Sequence, residues 1–220
     1  MNSRIEPVFI DIETTGFNPM LEPWYNDTAS EVTAVAVGHF PGWEDGDRGA
    51  EIDVLLNKGD MEYELLQNVR KKFGELRDQG LSGLFRVGWN IKTFDDPYLA
   101  ARCGRLNQDP ANILKWKRLD MMRALKIPKM WWDRNYHEGK NPSIPKQDDF
   151  ARYMNIEFND ELDGSMMPGL YEDGEYDKIQ VHVRDDMEVM MEIFKGNETK
   201  LPKFFVGHYK ELEPGMVGLK

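Results

Sequence analysis

The run VFIDIETTGFNP at residues 8–19 constrains the fold of this chain more than any other stretch. A short apolar segment leads into two carboxylates one residue apart, Asp11 and Glu13, and then into Thr14-Thr15-Gly16. In an extended strand, residues two apart share a face. Asp11 and Glu13 therefore sit side by side with Phe9, while Val8, Ile10 and Ile12 line the opposite face. Like charges so placed repel, and burial raises the cost. Two arrangements resolve the conflict. Either the strand end frays into solvent, or a divalent cation gathers the carboxylates, since hard cations favour clustered carboxylate oxygens.

Composition narrows the setting. The chain has 220 residues, 40% hydrophobic and 30% charged, which suits one sizeable soluble domain. No apolar stretch approaches the roughly 18 residues of a membrane span, so no membrane partner is expected. Residues 1–4 lack a signal-peptide pattern, which makes cytoplasmic residence the expectation. The lone cysteine, Cys103, excludes an intramolecular disulfide framework and a cysteine-built zinc site. A net charge of −11 argues against a broad basic surface for nucleic acid. It leaves room for nucleic acid held through metal ions, which supply local positive charge.

Periodicity orders the elements. Strands are expected at 7–13, 31–40 and 51–56, with a turn-rich hairpin connection at 41–50. Helical spacing follows over 60–79, where Met61, Leu65, Leu66, Val69, Phe73 and Leu76 form one stripe. A fourth strand is expected at 84–89, a helix at 97–106, and a helix or strand-helix element at 116–125. A loop at 126–147 carries Trp131 and Trp132, read as packing residues. Helices are expected at 148–154 and 177–195, and residues 196–220 form a tail that docks or meets a partner. Strands followed by alternating strands and helices imply one α/β domain with a mixed sheet.

Two further stretches carry carboxylates in telling places. In GWNIKTFDDPYLAAR, residues 88–102, Pro97 suits the first helical position. Asp96 then reads as the N-cap, and Asp95 lies just outside the helix, free to face a cleft. In IQVHVRDDMEVMMEIF, residues 179–194, helical spacing sets Asp186 within the apolar stripe, with His182 one turn earlier and Asp185 nearer solvent. A buried His-Asp pair or a catalytic one both fit that placement. Asp120 reads as a local cap, and Lys92, Lys146 and Arg184 as solvated charges or phosphate contacts.

Taken together the three stretches resemble the motifs of the DEDD 3′–5′ exonuclease superfamily, which has an RNase H-like fold. The likeness is nearest to the proofreading domains of family B DNA polymerases and their stand-alone relatives. Asp11-Ile12-Glu13 with Thr14-Thr15-Gly16 is similar to the first motif, and Asn90-x-x-x-Phe94-Asp95-x-Pro97-Tyr98 to the second. His182-x-x-x-Asp186 takes the place of the third, and residues 162–179 look like its lead-in. The family uses either a tyrosine with three residues between it and the last aspartate or a histidine, normally with four between them. His182 stands with three intervening residues, the tyrosine spacing, and is read as the tyrosine's replacement.

The resemblance implies an RNase H-like mixed β-sheet flanked by α-helices over residues 1–195. It implies two Mg²⁺ or Mn²⁺ ions held by Asp11, Glu13, Asp95 and Asp186, with His182 as general base or water-orienting group. Thr14 and Thr15 would meet the 3′-terminal nucleotide, and Asn90 and Phe94 its neighbours. The implied activity is 3′–5′ exonucleolytic hydrolysis of single-stranded DNA in repair or proofreading, alongside a separate polymerase or repair partner. An exoribonuclease and a non-catalytic nucleic-acid-binding scaffold are the alternatives.

Overall fold

In the computed structural model, the described residues are 7–16, 30–41, 49–59, 61–79, 85–128, 145–158 and 161–197. They form a sheet of five strands: β1 (Pro7–Thr14), β2 (Val32–His39), β3 (Glu51–Leu56), β4 (Phe85–Gly88) and β5 (Lys117–Asp120). The order across the sheet is β3-β2-β1-β4-β5. β2 runs antiparallel to β1 and β3, whereas β1, β4 and β5 run parallel. This mixed sheet with flanking helices is the RNase H-like α/β fold.

The alternation in β1 divides the core. Val8, Ile10 and Ile12 pack with Val35 and Val37 of β2 under α1 (Glu62–Asp78) and α2 (Asp95–Arg105). Phe9 packs on the other face with Ala34, Ala36, Val87 and the long helix α7 (Tyr176–Asn197). α5 (Gln147–Met154) lies against that helix. Phe9 meets Phe194 edge-on, with ring centroids 5.1 Å apart. Small residues on β2 let α7 come close, which the alternating Ala34, Ala36 and Gly38 supply.

Most expected elements appear within two residues of their expected ends. The 116–125 segment resolves as a strand followed by a short helix, β5 then α4 (Met121–Ala124), with Asp120 as its N-cap. Three short pieces lacked a usable period: α3 (Ala111–Leu114), a 3₁₀ turn at Gly164–Met166, and α6 (Met167–Glu172). Trp131, Trp132, most of the 41–50 connection and residues 198–220 lie outside the described residues.

Two expectations at α2 need correction. The helix begins at Asp95, not Pro97, and Asp96 is not its N-cap. Asp96 instead turns inward to Arg86 of β4, because a buried guanidinium offers two charge-assisted bonds where a helix N-terminus offers neutral amides. On α7, Met187 takes the centre of the buried stripe, and Asp186 lies at its edge with its side chain 35% exposed.

Close approach fixes one glycine at the end of β4. A Cβ at Gly88 would stand 2.9 Å from the Cβ of Ile91 and 3.0 Å from the backbone oxygen of Ile10. Ile10 cannot yield without separating β4 from β1, nor Ile91 without reshaping the turn that follows β4. Gly88→Ala should therefore lower stability by about 1–3 kcal/mol, the usual cost of overpacking. Urea denaturation checks this, and an unchanged midpoint would show that the two strands can part freely.

Candidate active site

The carboxylates meet where the parallel strands end. β1 carries Asp11 and Glu13 on the face toward α7. β4 ends in a tight turn, residues 89–94, made possible by Asn90 at φ +63°, a left-handed position that asparagine tolerates. The Asn90 carbonyl accepts hydrogen bonds from the amides of Thr93 and Phe94, both at 3.0 Å, so the turn feeds directly into α2 and its first residue, Asp95. In α/β sheets, ligands commonly bind beyond the carboxyl ends of strands, and this is such an end.

α7 supplies the opposite wall. His182 is buried, with Nε2 3.2 Å from Glu13 Oε1 and 3.7 Å from Asp186 Oδ2. The nearer contact has the distance of an ion pair but not the alignment of a hydrogen bond, so Nε2 lacks a hydrogen-bond partner. One ligand atom each from Glu13, His182 and Asp186 lies within 4.8 Å of the others. Gln147 of α5 donates to the Asp186 carbonyl at 2.7 Å, tying this stretch of α7 to its neighbour.

Asp11 and Asp95 lie outside that tight trio, yet they sense it electrostatically. Burial, then the charges of Glu13, Asp95 and Asp186, push the Asp11 carboxyl well above its usual range. Burial and then Asp96 do the same to Asp95, with smaller contributions from Asp120 and Glu13. Asp186 is pushed up to about 7, by burial first and then by Glu13, Asp148 and Asp185, against the lowering effect of His182. Burial pulls His182 down, but Glu13, Asp186 and Asp148 outweigh it and its pKa is raised. Carboxylates that mutually resist ionisation form a donor set suited to a hard divalent cation.

The remaining expected residues fall as follows. Thr14 Oγ1 exchanges hydrogen bonds with the Gly16 backbone, at 3.2 and 3.3 Å. Thr15 Oγ1 accepts from the Glu31 amide at 2.8 Å, so both hydroxyls shape the loop after β1. Asn90 Oδ1 is buried without a partner. Phe94 stacks on Tyr98, centroids 5.8 Å apart, and the Tyr98 hydroxyl reaches the Gly16 carbonyl at 3.4 Å. The loop after β1 and the turn after β4 are thus joined. Arg184 donates to the Ile52 carbonyl at 3.1 Å, while Lys92 and Lys146 are exposed.

Sequence reasoning missed Gly164, Asp148 and Arg123, and gave Asp120 only its local capping role. Gly164 of the lead-in to α7 passes beside the site, where a Cβ would stand 3.8 Å from Glu13 Oε2. Asp148 adds to the field at His182 and Asp186. Asp120 accepts from the Lys92 amide at 3.2 Å and Arg123 donates to Thr93 Oγ1 at 2.8 Å, bracing the 89–94 turn from β5 and α4.

Comparison with solved structures settles the fold. The family B DNA polymerase of the hyperthermophilic archaeon Pyrobaculum calidifontis superposes with a TM-score of 0.58 at 16% identity, over 88% of this chain and 24% of the polymerase. The chain shares its fold with part of this polymerase and with part of exonuclease I. A product-bound exonuclease I superposes with a TM-score of 0.58 at 15% identity, over 94% of this chain and 46% of that enzyme. E. coli exonuclease I in complex with a dT13 oligonucleotide gives 0.55 at 14% identity, over 94% and 44%. The chain thus spans about a quarter of the polymerase and under half of exonuclease I. No protein-family model and no curated sequence matches it. Among the described residues, no helix is long and apolar enough to cross a membrane.

Proposed function

We propose that this chain is a divalent-metal-dependent 3′–5′ exonuclease acting on single-stranded DNA ends, in repair or proofreading beside a separate polymerase. The observation that carries the reading is the convergence of Glu13, His182 and Asp186 in one trio, with Asp11 and Asp95 electrostatically coupled to it. The same fold holds single-stranded dT13 in exonuclease I, which favours DNA over RNA as substrate.

Asp11, Glu13, Asp95 and Asp186 would hold Mg²⁺ or Mn²⁺. The ions, when bound, polarise the phosphoryl oxygen and make water a stronger nucleophile. His182 then has a proton to take. Glu13 and Asp186 hold the His182 imidazole above its usual pKa, and with those carboxylates engaged in metal binding Nε2 would be left as an acceptor. The role is supported by the place of Nε2 within 3.2 Å of Glu13 and 3.7 Å of Asp186. Thr14 and Thr15 would border the terminal nucleotide. Asn90 and the Phe94 ring would meet the next ones by hydrogen bonding and stacking, which is tolerant of base identity.

A panel of end-labelled single-stranded DNA, duplex DNA and RNA, with free or blocked 3′ termini and with Mn²⁺ or EDTA, tests the reading. Shortening from free 3′ ends of single-stranded DNA, only with metal, is expected. His182→Ala should slow it by about 10²–10⁴-fold, the range of a general base, and His182→Tyr should retain part of the rate. Preference for RNA would transfer the mechanism to an exoribonuclease. No metal-dependent degradation of any substrate would leave a binding scaffold.

A further inference from the structure

Arg86 is an expensive residue in its place. It is fully buried on β4, facing the apolar side of the sheet with Val8 as one register neighbour. Its other register neighbour is Arg118 of β5, a like charge directly across the strands. That pairing is unfavourable by itself, and a buried guanidinium also loses its hydration. Arg86 Nε has no hydrogen-bond partner, so even the finished arrangement leaves a donor unsatisfied. An aliphatic side chain would fill the position at lower cost, as buried ion pairs are weak contributors to stability.

Among the described residues, Asp96 is the carboxylate that bonds both arginines. Arg86 grips it through both terminal nitrogens, with Nη2 to Oδ2 at 3.1 Å, and Arg118 Nη1 shares the same Oδ2 at 2.5 Å. Arg86 Nη2 also reaches the Leu114 carbonyl at 3.5 Å. Asp96 is the second residue of α2, next to Asp95. The N-cap residue, Phe94, offers no side-chain cap, so the start of α2 is held by backbone bonds of the 89–94 turn and, among side chains, by the clamp on Asp96.

We propose that Arg86, Asp96 and Arg118 are positioning residues for a divalent cation: their clamp fixes the first turn of α2 and thereby the carboxylate of Asp95. A bidentate guanidinium bond sets direction as well as distance, which is what a ligand held by the adjacent residue needs. Partners one step behind a ligand commonly change metal affinity by about 10–100-fold when altered. The inference rests on the proposed metal-dependent reading of the site.

Titrating Mn²⁺ alone into the full chain, followed by electron paramagnetic resonance well below the unfolding temperature, tests it without relying on activity. Arg86→Lys keeps the charge but loses the fork. Arg118→Gln removes the charge of a side chain that is 41% exposed and should leave the fold intact even where Arg86→Lys does not. Each should weaken Mn²⁺ binding by at least about 10-fold. Glu62→Gln is the control: it breaks the other buried pair on α2, with Arg102, one to two turns further along the helix. It should lower the melting temperature while leaving Mn²⁺ affinity within about 2-fold, in contrast to the clamp variants. Clamp variants that melt earlier yet bind Mn²⁺ like the wild type would overturn the inference, as would a Glu62→Gln variant that binds as weakly as they do. A wild type that binds no Mn²⁺ would remove the proposed function itself, and the inference with it.

Discussion

The Asp11→Asn, Glu13→Gln double variant should melt at a higher temperature than the wild type in EDTA at pH 8, and should be inert as a nuclease. Both halves follow from one fact. Asp11 resists ionisation because it is desolvated and because Glu13, Asp95 and Asp186 surround it with negative charge. Without a cation that repulsion burdens the folded state alone, since the unfolded chain disperses it. Neutral amides of the same shape remove the burden, for a gain of about 1–2 kcal/mol, the size of a typical single stabilising change. The same amides are poor ligands for a hard cation, so hydrolysis should fall by at least about 10³-fold, the scale of losing a preorganised electrostatic group. Thermal melts with EDTA, paired with the end-labelled DNA assay, measure both. A variant that melts lower and keeps a tenth of the rate would mean the two carboxylates serve the fold and not the chemistry.

That opposition between stability and activity also explains which parts of the chain were readable before folding. β1 and α1 were legible because their apolar residues repeat with the period of the element, and one face of each is buried. Asp11 and Glu13 were legible for the opposite reason: they break the pattern where it should continue. Asp96 was misread because the local rule, an aspartate before a proline at a helix start, is sound in isolation. What overrides it is Arg86, ten residues earlier in sequence and in contact only once β4 and α2 are packed. Asp148 and Gly164 were invisible for a related reason, since neither carries a local signature and each acts on a residue far away in the chain. Asp186 belongs between these cases. Helical spacing placed it beside His182, but only the packing of Met187 against Gly38 shows that α7 is rotated enough to leave the carboxylate at the edge of the core.

The low identity to the solved relatives makes the site, not the fold, the ground for function. Repelling carboxylates beside a buried imidazole cost a binding scaffold stability without return, which supports the proposed nuclease reading. The physical signature of a retained site is a fold that is least comfortable when metal-free and ionised. That signature can be measured without knowing the substrate.

Metal-free, the protein should lose stability as pH rises from about 5 to about 8, and Mn²⁺ should reverse the trend. Burial and the neighbouring carboxylates push Asp186 up to about 7 in the folded chain, above the ~3.9 of an unfolded aspartate. Between those values the folded state binds more protons than the unfolded state, so stability falls as pH climbs and levels off above the folded pKa. Asp11 and Asp95 are raised as well and act in the same direction. His182, also raised, holds its full contribution below ~6.5 and loses it as pH rises through its folded value. His39 opposes them: burial lowers it, so its contribution is present above ~6.5 and is lost as pH falls. The downward slope should therefore be clearest from about 6.5 to 8. Mn²⁺ needs the carboxylates ionised, so its affinity should rise over that window, with protons released on binding. At 100 times the dissociation constant a ligand contributes about 2.7 kcal/mol, or roughly 5–10 °C of melting temperature for a chain of this size. That shift is expected at pH 8 and should nearly vanish at pH 5. Melting curves with Mn²⁺ or EDTA across this range, joined to calorimetry in buffers of different ionisation heat, supply both numbers. A metal-free melting temperature that climbs from pH 6.5 to 8, or a Mn²⁺ shift equal at pH 5 and pH 8, would show that these carboxylates are not the ones that meet the metal.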